Sequence, residues 1–373
     1  MDDEGDDMVL SGRTGAPRRA TGGRARAARV TAALAGAVLA LAACSAPEAV
    51  APAPETVTIS PTIDPAKAAA PAPVVPPTWP LTGLPGEPAA RPALAVKIEN
   101  TAVARPQSGL EQADVVWETI VEFDVSRLIA VYHSQVPGEV GPIRSVRPMD
   151  PPVTAPLRGL LAFSGGQPGI LDLVAASGVQ TLSHDAGVEG MYRIRGRSAP
   201  HNVYGSPETF WRLADAGHQA APAEQFEFAR SLDRAAAVVA GTPVSTLAFR
   251  LSAASSPSWS WDGTSWLRSE GSTPSVSASG ARLAATNVVA ITADHPATGF
   301  GAQGGAAVPT YTLVGSGDAV VASGGKIVQA RWQKDADDQP MRLFLPDGSP
   351  ATLAPGNTWV ELVPAGSGSL AVG

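Results

Sequence analysis

The chain changes character at Trp79. From Ser45 to about Thr78 it is rich in Ala, Pro and Thr and nearly devoid of large apolar side chains, so it cannot bury enough surface to offset the entropy of ordering. Beyond Trp79, apolar segments alternate with turn residues. That break confines any packed core to the downstream part and makes residues 44–78 a tether. Proline biases such a segment toward extended conformations of about 3.1 Å per residue, so a folded body could stand up to roughly 100 Å from its attachment point.

What precedes the tether reads as a processing signal. Arg18, Arg19, Arg24, Arg26 and Arg29 form a basic region, and Val30 to Leu41 form an apolar stretch too short to span a bilayer comfortably. It ends in Leu41-Ala42-Ala43-Cys44, which resembles the bacterial lipobox: small residues admit a signal peptidase, and the Cys44 thiol accepts a diacylglycerol. A transmembrane anchor and an unlipidated secreted product are the competing readings. Arg18-Arg19 also suggests twin-arginine export, but Ala20-Thr21-Gly22 lacks the bulky apolar residue that should follow. The acidic stretch before Met8 is either leader or upstream of the natural start. The expected location is the outer face of a cell membrane, with residues 1–43 removed as signal peptide.

With 373 residues and 44% hydrophobic content, the chain is long enough for two compact domains. A single cysteine rules out an internal disulfide framework or a thiolate metal cluster. The chain carries 27 basic and 34 acidic residues; six Arg and five Asp/Glu lie in residues 1–43, which leaves −8 on the remainder. A polyanion-wrapping surface is therefore not expected, and nucleic acid is not a partner. Only Lys67, Lys97, Lys326 and Lys334 are lysines, so recognition of anions should be local and use planar guanidinium forks.

Period-two patterns predict strands at Leu94 to Glu99, Val115 to Glu122, Arg127 to His133 and Leu160 to Phe163, with residues 123–126 as a hairpin link. Helices are predicted at Ile170 to Ala176, at Thr209 to Ala216 behind Ser206-Pro207-Glu208, and at Leu232 to Ala240. Thereafter strands are predicted at 246–251, 258–261, 265–268, 288–292, 308–313, 319–322, 327–332, 341–345 and 358–363, with Asp262-Gly263, Gly324-Gly325 and Asp347-Gly348 as turns. The fold class is α+β: a mixed α/β N-terminal domain over 79–235, then a β-rich C-terminal domain over 241–373. No P-loop, dinucleotide fingerprint, zinc-protease helix or nucleophile elbow occurs, so no cofactor is expected.

A string of ordered motifs carries a resemblance. Pro80-Leu81-Thr82-Gly83-Leu84, residues 91–100, residues 105–110, Ala113-Asp114-Val115-Val116-Trp117-Glu118 and residues 141–148 look like successive signatures of the YerB-like lipoproteins, domain of unknown function 3048. Pro200-His201-Asn202, Asn287-Val288-Val289, Gly324-Gly325-Lys326, Arg331-Trp332 and residues 355–359 resemble the family's second half. The resemblance covers roughly Pro80 to Pro364 and implies an extracytoplasmic lipoprotein of two domains. Where the family tends to place His-x-Asp after the Trp266-Leu267-Arg268 strand, this chain has Ser275-Val276-Ser277, so no role rests on that imidazole and carboxylate.

Candidate ligand-binding residues are Glu118, Glu122, Arg127, Arg144, Ser145, Arg147, His201 and Asn202. Period two puts Glu118, Ile120 and Glu122 on one strand face, the two carboxylates about 13–14 Å apart, too far for one acid/base pair. With Arg127 across the hairpin they are ion-pair anchors or ligand contacts. Arg144 and Arg147, in a loop pinned by Pro142 and Pro148, would either clamp an anion bidentately or pair with Glu118, Glu122 or Asp114. Ser145 or Ser164 could act as nucleophile with His201 as base, though no third member is identifiable; the competing reading is a glycine turn at Gly165-Gly166 with His201-Asn202 capping a loop. The five histidines show no ligand spacing, and no metal is expected. Trp259, Trp261 and Trp266 form either a sugar platform or a β core. The expected function is binding of a cell-wall component or envelope protein at the membrane to which the lipid anchors the chain. The alternative is a hydrolase or transferase acting on wall glycan or peptide.

Overall fold

The computed structural model describes residues 76–373 together with Thr58 and Ile59; the signal segment, Cys44 and nearly all of the tether lie outside the described residues. Strands of the first half are β1 (Leu94–Glu99), β2 (Val115–Ile120), β3 (Ser126–Tyr132), β4 (Leu160–Phe163), β5 (Gln180–Ser183), β6 (Met191–Arg193) and β7 (Val203–Gly205). Those of the second are β8 (Thr246–Arg250), β9 (Pro257–Trp261), β10 (Trp266–Glu270), β11 (Asn287–Ala293), β12 (Gly315–Ser323), β13 (Lys326–Lys334), β14 (Arg342–Phe344), β15 (Thr358–Pro364) and β16 (Ser369–Val372). Among the described residues four short α-helices accompany them: α1 (Asp150–Thr154), α2 (Pro168–Ala176), α3 (Pro207–Arg212) and α4 (Ala236–Ala240).

One sheet runs through both halves in the order β14-β13-β12-β11-β15-β2-β3-β1-β4-β5, with Thr242–Pro243 added on β13. The joint is β15, which lies parallel to β11 on one side and to β2 on the other. A strand paired on both edges and covered on both faces is buried along its whole length, so any polar side chain in it needs a partner, and β15 is buried from Thr358 to Pro364, Glu361 included. The same holds for β1, β2 and β3. A smaller sheet, β16-β8-β9-β10 with two-residue strands on the β10 edge, lies on one face of the large one. It makes contact through Trp259 and Arg268, which reach Glu361 and Glu118. On the other face Asp150 of α1 reaches Lys97, and Phe226 stacks on Trp117 at 6.1 Å.

Local signals act as the sequence suggests in several places. Ser206 Oγ accepts the Thr209 amide at 3.4 Å and Pro207 opens the first turn of α3, although that helix ends at Arg212. Gly324 and Gly325, at φ 58° and 71°, close the two-residue turn between β12 and β13; such a turn needs left-handed backbone at both positions, and a Cβ on Gly325 would also sit 2.7 Å from Trp261 Nε1. The helix expected over 232–240 is split, since a 3₁₀ turn at Leu232–Arg234 precedes α4. Of the strand expected at 308–313 only Val308 and Pro309 are extended into a strand, Ala307–Pro309, which pairs with the unexpected five-residue Ala297–Gly301, and β5, β6, β7 and β16 are further strands not indicated by periodicity. β5, β6, β7 and β16 are each three or four residues long, too short for a period to register.

Candidate functional site

Register decides which charged side chains meet, because residues directly opposite in a sheet project to the same face. Glu99, Arg127 and Thr119 are aligned across β1, β3 and β2, with Lys97 on the same face two residues along. Glu118 projects to the opposite face, in register with Glu361 of β15. Glu122 does not share the Glu118 face as period two had it. The strand ends at Ile120, and Glu122 opens a 3₁₀ turn in which Phe123 and Asp124 are left-handed at φ 65° and 60°. That turn carries the Glu122 carboxylate round to Arg127, while Glu118 is neutralised from elsewhere.

The helix-side cluster is closed. Arg147 grips Glu122 in a bidentate fork, Nε to Oε2 at 2.6 Å and Nη2 to Oε1, while its Nη1 donates to Val146 O at 2.7 Å. Arg127 donates to Ser145 O at 2.8 Å and to Glu122 at 3.4 Å. Lys97 Nζ lies 2.6 Å from Asp150, whose other oxygen accepts the Arg147 amide at 2.8 Å. Burial alone would raise the Glu122 pKa, but the Arg147 hydrogen bonds and the Arg127 and Arg147 charges hold it down at about 2. Burial lowers Lys97 to about 8 against the pull of Asp150. Every charge here has a partner, the condition under which buried ions are tolerated.

A second cluster lies between the two sheets. Arg268 reaches Glu118 Oε2 and Glu270 Oε1, both at 2.6 Å, and stacks over Trp359 at 5.0 Å. Asn100 Nδ2 donates to Ser126, Glu118 and Glu270 at 2.8, 3.2 and 2.9 Å. Trp259 Nε1 donates to Glu361 at 3.0 Å. Burial, and then the charge of Glu118, push the Glu361 carboxyl well above the usual carboxylate range. Trp259 and Trp266 are buried: Trp259 packs edge-on against Trp359 and Trp266 against Trp261, each at 5.3 Å, so the tryptophans form core.

Beside this cluster opens a cleft of about 380 Å³. One wall is the loop after β1, with Asn100, Arg105, Pro106 and Gln107, together with Leu110 and Leu128; the other is Arg268, Glu270 and residues 273–276, with Leu283. Arg105 bridges the walls to Glu270 at 3.1 Å. Arg268 Nε, a donor on the lining, has no hydrogen-bond partner among the described residues. Ser275 and Val276 are in this wall. None of the eight candidate residues lines it.

The partly open candidates gather instead around Glu99, on the other side of the 100–107 loop. His201 Nδ1 lies 2.9 Å from both Glu99 oxygens, Thr101 Oγ1 donates to the same carboxylate at 2.8 Å, and Arg144 Nε is 3.5 Å away. Arg144 also donates to Pro200 O at 3.1 Å. Ser145 Oγ lies 3.3 Å from Ser164 Oγ, and neither hydroxyl reaches His201. Asn202 accepts from Arg193 at 2.7 Å and donates to Arg197 O at 3.2 Å, so it braces a loop. Glu99, Asn100 and Arg268, which organise the open regions, were not among the candidates: Glu99 reads as the last residue of a strand with Asn100 just beyond it, and nothing local links residue 268 to residue 118. Among the described residues no group of three His, Cys, Asp or Glu is placed to hold a metal ion.

Comparison with known proteins bears on this arrangement. The family models described as "Protein of unknown function (DUF3048)", N-terminal and C-terminal domains, match residues 81–220 and 246–360. The chain belongs to this family. Over 141 residues it is 34% identical to the Bacillus subtilis protein named "Putative lipoprotein YerB", a stretch covering 36% of this chain and 42% of that one, less than half the length of the relative. The crystal structure of the YerB protein from Bacillus subtilis matches with a TM-score of 0.66 at 22% identity, covering 79% of this chain and all but 1% of the other, a likeness of fold. In this DUF3048 chain the cleft is walled by residues from both family segments, Asn100 to Leu128 from the first and Arg268 to Leu283 from the second.

Proposed function

We propose that this protein is a lipid-anchored, extracytoplasmic binding protein that takes an envelope ligand in the cleft between residues 79–235 and 241–373. The observation that carries the reading is the cleft itself. Its volume is that of a small-molecule site, its walls come from two segments, and a few polar groups converge on a mainly apolar lining, features common to ligand pockets. The ligand is an amphipathic small molecule, its apolar body against Pro106, Leu110, Leu128, Val276 and Leu283 and its polar end toward Arg105 and Gln107. Attachment rests on Cys44 and the similarity to a protein named as a lipoprotein.

Binding is favoured over wall hydrolysis because the serines expected as nucleophiles bond each other and the His201 ring is turned to Glu99. The hydrolase reading keeps one supporting feature, a carboxylate-oriented imidazole, but that imidazole has no hydroxyl within reach.

Two variants test this function. Val276→Trp should fill the cleft and weaken binding of 8-anilinonaphthalene-1-sulfonate, an aromatic body with an anionic end, at least about tenfold, with the thermal midpoint unchanged because Val276 is already exposed. Equal fluorescence titrations for wild type and variant would refute the cleft as the site. Cys44→Ala should leave the protein unlabelled by a clickable fatty acid and move it from the membrane fraction; a labelled variant would refute the anchor.

A further inference from the structure

We infer that the turn following β6, together with Arg144 and His201, is a second ligand site, one for a phosphate-type oxyanion. Arg193, Arg195 and Arg197 stand within five residues of one another in an otherwise acidic chain of net charge −7. None has a carboxylate within 4 Å among the described residues; the fold holds them by neutral groups instead. Arg193 Nη1 donates to Asn202 Oδ1 at 2.7 Å, and Arg197 donates to Val103 O at 3.0 Å and Pro106 O at 2.7 Å. Arg195 is exposed and makes no side-chain hydrogen bond to the described residues.

Arg144 enters the same patch by donating to Pro200 O at 3.1 Å, one residue before His201. Carboxylates near the patch are committed. Glu99 is buried beneath it and shared by Thr101, His201 and Arg144, Glu139 accepts from Tyr192 and Ser108, and Asp185 accepts from the neighbouring His184 ring. Of these four guanidinium groups, Arg144 alone has a carboxylate within 4 Å among the described residues, the buried Glu99 at 3.5 Å.

Guanidinium groups propped by carbonyls and an amide keep their full charge and their remaining N–H donors. Placing Arg193, Arg195 and Arg197 within five residues of one another with no carboxylate within 4 Å among the described residues costs self-repulsion that the fold does not require, since the helix-side and inter-sheet clusters already neutralise the buried arginines. A tetrahedral oxyanion offers several acceptor oxygens and more than one fork geometry at once, which a single carboxylate does not. His201 Nδ1–H donates to Glu99, so Nε2 is the ring nitrogen left to meet such a ligand, accepting from a protonated phosphate oxygen when the ring is neutral and donating to an anionic one when it is imidazolium. The site is separate from the cleft: Arg197 holds the 103–106 backbone from one side, while Arg105 and Pro106 line the cleft on the other. A phosphate ester in solution and a phospholipid headgroup present the same chemistry.

The test uses the full-length Cys44→Ala protein and its Arg195→Gln derivative, because Arg195 is exposed and makes no side-chain hydrogen bond or ion pair among the described residues. Titration with glycerol phosphate, followed by phosphorus NMR, should show saturable binding that weakens about tenfold in Arg195→Gln, roughly one charge-assisted contact, and weakens in both proteins as salt is raised. Sedimentation with phosphatidylglycerol against phosphatidylcholine vesicles identifies the source: Arg195-dependent binding to the former, without binding of glycerol phosphate, assigns the headgroup. Equal behaviour of the two proteins in both arms, with unchanged thermal midpoints, would overturn the site.

Discussion

Arg268→Met is expected to cost about 3–5 kcal/mol of folding stability, the penalty for stranding buried charge. Arg268 is 1% exposed and is the cation that reaches both Glu118 and Glu270, with Glu361 alongside. Methionine matches much of the packing over Trp359 but leaves Glu118, fully buried, without its counter-ion. Adding Glu118→Gln to Arg268→Met should restore a substantial part of the loss, because the amide needs no counter-charge. Urea denaturation of the two variants beside wild type measures both effects. A loss below about 1 kcal/mol in the single variant, the scale of an exposed pair, would mean that the pair is solvated in solution.

Glu122→Gln should be comparably damaging at neutral pH, about 3–5 kcal/mol, since it leaves Arg147 and Arg127 buried without their carboxylate. It should also change the acid response. The Glu122 pKa is depressed from 4.5 to about 2 in the folded protein, so its contribution is present above about 4.5 and is lost as pH falls toward 2. Wild type should therefore lose this contribution over that window, and the gap between wild type and Glu122→Gln should narrow as it does. Denaturation midpoints at several pH values between 2 and 7 test this; a gap constant across the range would show that Glu122 is not the titrating group.

These expectations bear on the loop flanked by Pro142 and Pro148, where the two arginines have different fates. Arg147 is consumed by Glu122, so Arg147→Lys removes a bidentate fork from the core. Arg144 sits at the surface over Glu99 and retains unpaired donor capacity. Proline-pinned rigidity was legible from residues 142–148, but which arginine faces inward depends on Glu122, whose position follows from two left-handed residues at 123 and 124 that no periodicity announces.

What the sequence determined by itself is local or cumulative. Leu94–Glu99 and Leu160–Phe163 are strands with the bounds their apolar runs indicate, Gly324-Gly325 is the turn its two glycines require, and the ordered motifs identify the family. Each depends on neighbours within a few residues, or on many weak matches added along the chain. Tertiary structure alone decided that β15 inserts between β11 and β2, joining the halves into one sheet. It decided that Lys97, Glu99, Glu118 and Glu361 lie inside, because a charge in a strand reads as solvent-facing until a second layer covers that face. It also decided that Glu118 is neutralised from residue 268 and that the open cleft lies at residues 100–110 and 268–283, since these contacts exist only once segments about 150 residues apart in the chain are packed together.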